Sequence, residues 1–496
     1  MAIDGVSAKT TYLSSTVIGM KSQLEDLQRQ ISTGKVSETY AGQGIDRTLG
    51  VSLRSQIAGY EAYASTATNV NTRIGVANLS LQSLVNVATQ VKSSTNNANL
   101  TIGSGGQTSG QTSALGAFSQ MISALNVQSG DRYLFSGQAT DQPATETSEV
   151  ILYGNGAQAG LQQVMAERKI ADLGTTGMGR LAVTSPTATS VSVAEDGSAF
   201  GLKLNSVSSN LTGATVTGPT GTPPAVSVDL TANPNAGEKI SFTFDLPDGT
   251  SESFSLTATT ESPAPAGSFT IGATAADTAA NMQTALSSSV SKLANTSLVA
   301  ASAMQASNEF FDSPPQRVAG PPFDTATTLV AGTAANTVMW YTGEDNGGSA
   351  RATATAQVDQ GVSVQYGIRA NEDAIKNQIK AVAAYALMTA TPGDTNANAQ
   401  LAELNERVSQ QLSSQPGKPS VEEIQADLAG AQSTIKSATT RQTQAKAMAQ
   451  SMLDGIENVD ANEAITKFLA LQTSLSASYQ TTAMLYQISL TKYLPI

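Results

Sequence analysis

Six large apolar residues near the N-terminus, Leu13, Val17, Met20, Leu24, Leu27 and Ile31, follow one another at alternating steps of 4 and 3. That spacing puts them on one stripe of a helix, the seam of a coiled coil. The helix is expected to stop at Ser32-Thr33-Gly34, with Gly34 in the left-handed conformation that only glycine adopts freely. From Leu13 to Ile31 it covers about 28 Å and is marginal alone in water, so it needs a partner.

After a glycine-rich joint (Gly42, Gly44, Gly50) a second stripe runs Leu53, Ile57, Tyr60, Ala64, Ala67, Val70, Ile74, Ala77, Leu81, Leu84, Ala88, Val91. Its one irregularity, a repeated step of 3 at Ala67–Val70, overwinds a supercoil without ending the helix. Ile102 to Gln111 reads as a flexible break, and Ser113 to Val127 as another helix. The other end mirrors this arrangement. From Pro419 a long helix carries Ile424, Leu428, Ala431, Ile435, Ala438, Gln442, Ala445, Ala449, Met452 and Ile456, with Gln442 as its one polar intrusion. A joint from Asp454 to Asp460 precedes a last helix running to Leu494, where Pro495 stops it. This last helix has two apolar stripes: Ala464, Phe468, Leu471, Leu475, Leu485, and Ile465, Leu469, Tyr479, Ala483, Tyr486, Leu490, Tyr493. One neighbour cannot cover both. Such stripes also describe an ordinary helical core. Their placement, short then long at one end and long then short at the other, is what predicts that the ends pair and that the last helix packs against other subunits.

Between Tyr133 and about Tyr366 the chain turns to Thr, Ser, Gly, Pro and Val. Period-2 alternation in Lys239–Leu246 and Ser251–Ala258 around Asp248-Gly249 predicts a hairpin. A strand at Ser268–Ile271 and a helix from Asp277 to Leu293 complete a small α+β unit. Strands are expected at Thr337–Tyr341 and Ala350–Tyr366 before the chain returns to helix near Glu372.

Composition narrows the chemistry. The 496 residues include no cysteine and no histidine, and only 13% are charged. Thiolate, disulfide, Cys-zinc and iron–sulfur chemistry are excluded, as are the Ser-His-Asp triad and the HExxH metal site. The net charge of −12 argues against nucleic acid, which demands a basic footprint. No window reaches the roughly 20 apolar residues of a membrane helix, and the start lacks a secretory signal's apolar region. Ser32-Thr33-Gly34-Lys35 fails as a phosphate loop, with Arg29 and Val36 at required positions. Glu344 to Gly348 lacks the spacing of a calcium loop. Glu422-Glu423 is explained by its place at a helix start. The expectation is no catalytic site, no cofactor and no metal.

Four segments resemble the bacterial flagellin superfamily. They are Gln30 to Lys35 (QISTGK), Gly130 to Gly137 (GDRYLFSG), Val364 to Glu372 (VQYGIRANE), and the tail Leu471 to Tyr479 (LQTSLSASY) with Ser489 to Leu494 (SLTKYL). The resemblance implies a mainly α fold with a β-rich insertion, in which paired N- and C-terminal coiled-coil helices build inner and rod-like domains and an outer α+β lobe projects from them. It divides the chain into 1–50 and 457–496 (inner helices), 51–145 and 336–456 (rod) and 146–335 (outer lobe). The motif residues are Gly130, Arg132, Tyr133, Phe135, Gly137, Gly367, Arg369, Asn371 and Glu372. The assembly seams are Leu13, Val17, Met20, Leu24, Leu27, Ile31, Phe468, Leu471, Leu475, Tyr479, Leu485, Tyr486, Leu490 and Tyr493. The implied role is a structural component of the flagellum outside the cell, exported without a cleaved signal. GDRYLFSG resembles the segment of proteins joining hook to filament; the filament subunit itself is the alternative. The implied partners are further copies in a helical ring or tube, a neighbouring hook-associated protein, flagellin and an export chaperone, with neither nucleic acid nor membrane insertion. An enzyme carried in the insertion and an intracellular coiled-coil scaffold are the readings from other classes.

Overall fold

The computed structural model describes residues 4–96 and 100–491. In chain order the helices are α1 (Asp4–Thr33), α2 (Arg47–Thr95), α3 (Ser109–Leu125), α4 (Ser148–Tyr153), α5 (Leu161–Leu173), α6 (Ala275–Ala294), α7 (Ser297–Phe310), α8 (Asp373–Leu387), α9 (Ala397–Gln411), α10 (Val421–Glu457) and α11 (Ala461–Thr491). The strands are β1 (Gln128–Ser129), β2 (Arg132–Tyr133), β3 (Leu181–Thr184), β4 (Ser190–Glu195), β5 (Lys203–Ser209), β6 (Ala214–Thr220), β7 (Ala225–Leu230), β8 (Lys239–Asp245), β9 (Ser251–Thr259), β10 (Ser268–Thr270), β11 (Gln316–Val318), β12 (Leu329–Ala331), β13 (Thr355–Asp359) and β14 (Val362–Gln365). Two units emerge. The first is Met1–Asn69, Ala356–Val364 and Ser433–Ile496; the second is Val70–Thr355 and Gln365–Gln432.

In the first unit, α1 packs against α11. Leu53 and Ile57 of α2 form a small core with Ala449 and Leu453 of α10, and Ile456 packs on its edge. Lys446 pairs with Glu61 at 2.8 Å. Gln442, the polar break in the α10 stripe, is 3% exposed and donates its side-chain amide to the Val358 carbonyl of β13. The intrusion is thus a buried hydrogen bond, which a buried amide requires. Near its end the α10 face rotates: Leu453 is buried, whereas Met452, expected on the seam, is 47% exposed. The second joint is also shorter than expected, because α10 continues through Gly455 to Glu457.

In the second unit, α7 is buried on nearly every side, and α8 is buried from Ile379 to Leu387. A helix apolar all round belongs in an interior, and α5, α8 and α9 cover α7 while α3 covers α8. Gln111 caps α3 with Thr108 and donates to the carbonyls of Tyr385 (3.0 Å) and Met388 (2.7 Å). The β lobe holds two four-stranded sheets, ordered β10-β9-β8-β5 and β3-β4-β7-β6. The expected hairpin is there as β8–β9, in register from Lys239↔Thr257 to Asp245↔Ser251. Its Phe244 ring stacks on Phe242 and on Phe254, which tilt against each other at 5.8 Å, and Met282, Leu286 and Val290 of α6 close the same core.

Three expectations for the middle need correction. Thr337–Tyr341 is not a strand; only isolated bridges form there, Ala159↔Thr337 and Thr145↔Tyr341. Ala350–Tyr366 divides into a 3-10 turn (Ala350–Thr353) and the β13–β14 hairpin. The insertion is also more helical than its composition implied, since α5 and α7 lie within it.

Candidate assembly surface

One face of α1 is partly covered. Leu13, Val17, Met20, Leu24, Leu27 and Ile31 are each half-buried, while among the described side chains of this helix every other one except Gln30 is exposed. Facing it, α11 turns in Ala464, which is buried, and Phe468, Leu471 and Leu475, which are half-buried. The second α11 stripe has no such cover: Ile465 is 43%, Leu469 55% and Tyr479 53% exposed. Tyr479 therefore belongs to the open stripe and does not join Phe468, Leu471 and Leu475. The side chains of Leu485, Tyr486 and Leu490, and Tyr493 altogether, lie outside the described residues.

The two joints between short and long helices hold one another. Gly34 closes α1 with φ +70° and donates its N–H to the Gln30 carbonyl at 2.8 Å. Beside it Val36 donates to Glu457 at 2.8 Å, and Val459 donates to Gly34 at 3.0 Å. Gln30 adds its side-chain amide to the Val36 carbonyl at 3.0 Å. The QISTGK segment thus ends a helix and lays a short antiparallel bridge, Lys35↔Asn458, against the other joint. Arg54 of α2 completes the corner, pairing with Glu457 at 2.5 Å and lying over the Tyr40 ring.

The remaining motif residues, more than 200 positions apart in the chain, meet in the second unit. Gly130 forms the turn of the β1–β2 hairpin with φ +64°, and Arg132 is exposed at its side. Tyr133 is half-buried. Phe135 is fully buried, and its carbonyl accepts from Ala370 N–H at 2.8 Å. Gly137 (φ +67°) passes so close to Glu344 and Arg369 that a Cβ would lie 3.0 Å from the Glu344 carbonyl. Arg369 in turn donates to Asp345 (3.2 Å) and the Gly348 carbonyl (2.6 Å), and Asn371 donates to Asp345 at 2.7 Å. Glu372 accepts from Arg351 and from the Arg369 backbone. Gly367 is required by space: a Cβ there would stand 2.1 Å from Thr353 Oγ1. Each of these contacts fixes the local chain; Arg132 pairs with Ser129 in the hairpin and leaves its side chain exposed.

A cleft of about 480 Å³ opens beside this cluster, lined among others by Asp312, Trp340, Arg369 and Glu423. Its charged groups are largely spent on one another, as in Arg369–Asp345 (3.2 Å) and Lys376–Asp373 (2.9 Å). Among the described residues there is no group of acidic side chains placed to hold a metal ion, and no helix is long and apolar enough to cross a membrane.

A cluster that the sequence did not disclose lies between α5 and α7. Arg168 and Asp172 pair at 2.8 Å, both nearly inaccessible, and Arg168 also binds Glu309. Asp172 further accepts from Gly201 N–H at 2.8 Å and from the Ser302 hydroxyl. Burial pushes the Glu309 carboxyl above the usual range, against the pull of Arg168. Every member is used in holding helices and lobe together.

Two protein families have models that match parts of the chain. The bacterial flagellin C-terminal helical region matches residues 419–494, the span of α10 and α11. The PKD domain matches residues 212–290, from the loop after β5 into α6. No curated protein matches the chain. The helical C-terminus, with its open stripe, is therefore similar to flagellin, and this similarity points to a flagellar structural component that self-assembles outside the cell.

Proposed function

We propose that this chain is the structural junction between hook and filament of a bacterial flagellum, built into a helical tube by contacts along α1 and α11. The observation that carries the reading is the second apolar stripe of α11, which is left open by α1 and lies within the segment similar to flagellin. Contacts that do not close on themselves generate helical assemblies, and an exposed apolar stripe is what they bury. In this reading α1 and α11 are coiled-coil partners of the inner tube, 51–145 and 336–456 form the rod, and 146–335 form the outer lobe. The chain is exported unfolded by a chaperone-assisted route and does no catalysis.

The filament subunit is the second reading, favoured by the same match. GDRYLFSG inclines the choice to the junction. Deleting the gene separates the two. Hooks that carry no filament, with filament protein shed into the medium, mean a junction protein. Loss of the filament subunit itself means a flagellin, and intact swimming filaments refute both.

A further inference from the structure

The β lobe contains a sheet edge that the described strands cover only at one end. Strand β9 pairs with β8 from Ser251 to Thr257, but on its other side β10 reaches only Thr257, Ala258 and Thr259. Ala258 donates its N–H to Glu238 on the β8 side (2.8 Å), whereas Thr257 donates the opposite way, to Gly267 (3.0 Å). Alternation along the strand therefore turns the N–H and C=O of Ser253 outward, with those of Ser251 and Ser255. Among the described residues no hydrogen bond occupies that side of Ser253. Alongside runs a groove of about 710 Å³ between β9 and α6, lined by Phe254, Ala285 and Leu293 and bordered by the Pro263–Gly267 loop.

The side chains on the groove face specify an occupant. Residues 252 and 254 of β9 share the face of the core residues Leu256 and Ala258, so Glu252 and Phe254 look onto the groove. An added strand places its own residues directly across from these two, on the same face. Phe254 calls for an apolar neighbour. Around Glu252 negative charge is in excess: Arg407 is shared by Asp248 (3.0 Å), Glu252 (3.3 Å) and Glu403 (2.5 Å). Glu406 stands close enough to act on Glu252, and among the described residues the groove's lining carries one cation, the exposed Lys292, against Glu252 and Glu403. Burial and Glu403 push the Glu252 carboxyl up despite Arg407. A second copy of the same edge would bring more carboxylates to this point, whereas a cation relieves it.

We infer that the β9 edge binds an extended segment of another protein by strand addition, with a Lys or Arg across from Glu252 and an apolar residue, two positions away, across from Phe254. Backbone hydrogen bonds to Ser253 supply the anchoring, and the two side-chain positions supply selectivity.

The test uses the full chain and two capped heptapeptides, Thr-Thr-Val-Thr-Lys-Thr-Thr and Thr-Thr-Lys-Thr-Val-Thr-Thr, which serve the two strand directions, with glutamate-for-lysine versions of each. One lysine peptide should bind roughly tenfold more tightly than its glutamate version and slow amide exchange at Ser253. Ser253→Pro removes only the outward N–H, which an edge strand tolerates; it should abolish binding with the melting temperature unchanged. Glu252→Lys should invert the charge preference, and this arm stands even if the proline variant fails to fold. Equal binding of lysine and glutamate peptides, undiminished binding to a folded Ser253→Pro, or no binding by any peptide overturns the inference. So does a concentration-dependent dimer that Ser253→Pro dissolves, since the edge would then belong to a second copy.

Discussion

Leu469→Glu separates the stability of the single chain from the stability of the assembly. In the isolated chain Leu469 is 55% exposed, and with it on the open stripe of α11 stand Ile465 at 43% and Tyr479 at 53%. Full burial of a large apolar side chain is worth about 1.5–3 kcal/mol. Roughly half of that is still to be gained at each of the three, or about 1 kcal/mol apiece and about 3 kcal/mol for the stripe. At about 1.4 kcal/mol per tenfold, the stripe lowers the concentration needed for assembly by roughly 100-fold. Leu469→Ala forfeits one share and should raise that concentration roughly fivefold. Leu469→Glu also carries a carboxylate into an apolar contact and should raise it well beyond tenfold. The isolated chain should hardly notice, because exposed substitutions stay within about 0.5 kcal/mol. Ser474→Glu, exposed on neither stripe, is the control. The assay is the concentration of protein remaining unsedimented after assembly, read beside thermal melting of dilute protein. An unchanged assembly threshold in Leu469→Glu, or a melting temperature that falls with it, would refute the division of α11 into a covered stripe and an open one.

Other perturbations probe the frame around this surface. Asp172→Ala strips Arg168 of one partner and orphans Gly201 N–H and Ser302; the expected loss is about 3–5 kcal/mol in denaturant unfolding. Gly34→Ala meets no neighbour within 4 Å, so its cost is that of a left-handed backbone alone, about 1–2 kcal/mol, and should appear as faster amide exchange at the C-terminal turn of α1. Hydrogen bonds from Thr212 and then Asn235 hold the Glu238 carboxyl down at about 2. A lowered carboxylate lends stability that is complete above its ordinary range and is lost as pH falls toward that value. Melting of the wild type and Glu238→Gln should therefore differ at neutral pH and converge near the acid limit.

The sequence disclosed most where one face of a helix meets one neighbour. All twelve residues of the α2 stripe from Leu53 to Val91 are buried or half-buried, because a regular 4-3 spacing has only one way to present itself. The same logic exposes α9 in retrospect, since Ala397, Leu401, Leu404 and Val408 are buried at steps of 4, 3 and 4. Its start among Thr, Asn and Gly residues carries no side-chain cap to mark it. α5 is a different case. Its buried face includes Glu167, Arg168 and Asp172, so an apolar template breaks off where the ion cluster begins, and only the tertiary partners Glu309 and Ser302 make sense of those charges. Thr337–Tyr341 failed in the opposite direction: β-branched and aromatic residues fit a pleat, but their bonds go to isolated partners instead of a ladder. The β9 edge could not be read at all, since an open edge is a property of what β10 leaves uncovered.

These differences bear on what the motif segments mean. A reader of the sequence takes GDRYLFSG and VQYGIRANE as markers of function, yet in the folded chain Phe135, Gly137, Gly367 and Arg369 are spent on one another and on neighbouring backbone. They determine how the chain leaves α3, enters the insertion and returns to α8. QISTGK likewise sets the turn that joins α1 to the opposite joint. The residues free to meet other molecules carry no such signature: Ile465, Leu469 and Tyr479 are ordinary members of a helical stripe, and Ser253 is one serine among many. These segments thus build the frame, while the contact surfaces follow from which faces the frame leaves open. A family match at 419–494 therefore constrains the architecture of the C-terminal helices more tightly than it constrains which neighbour they meet.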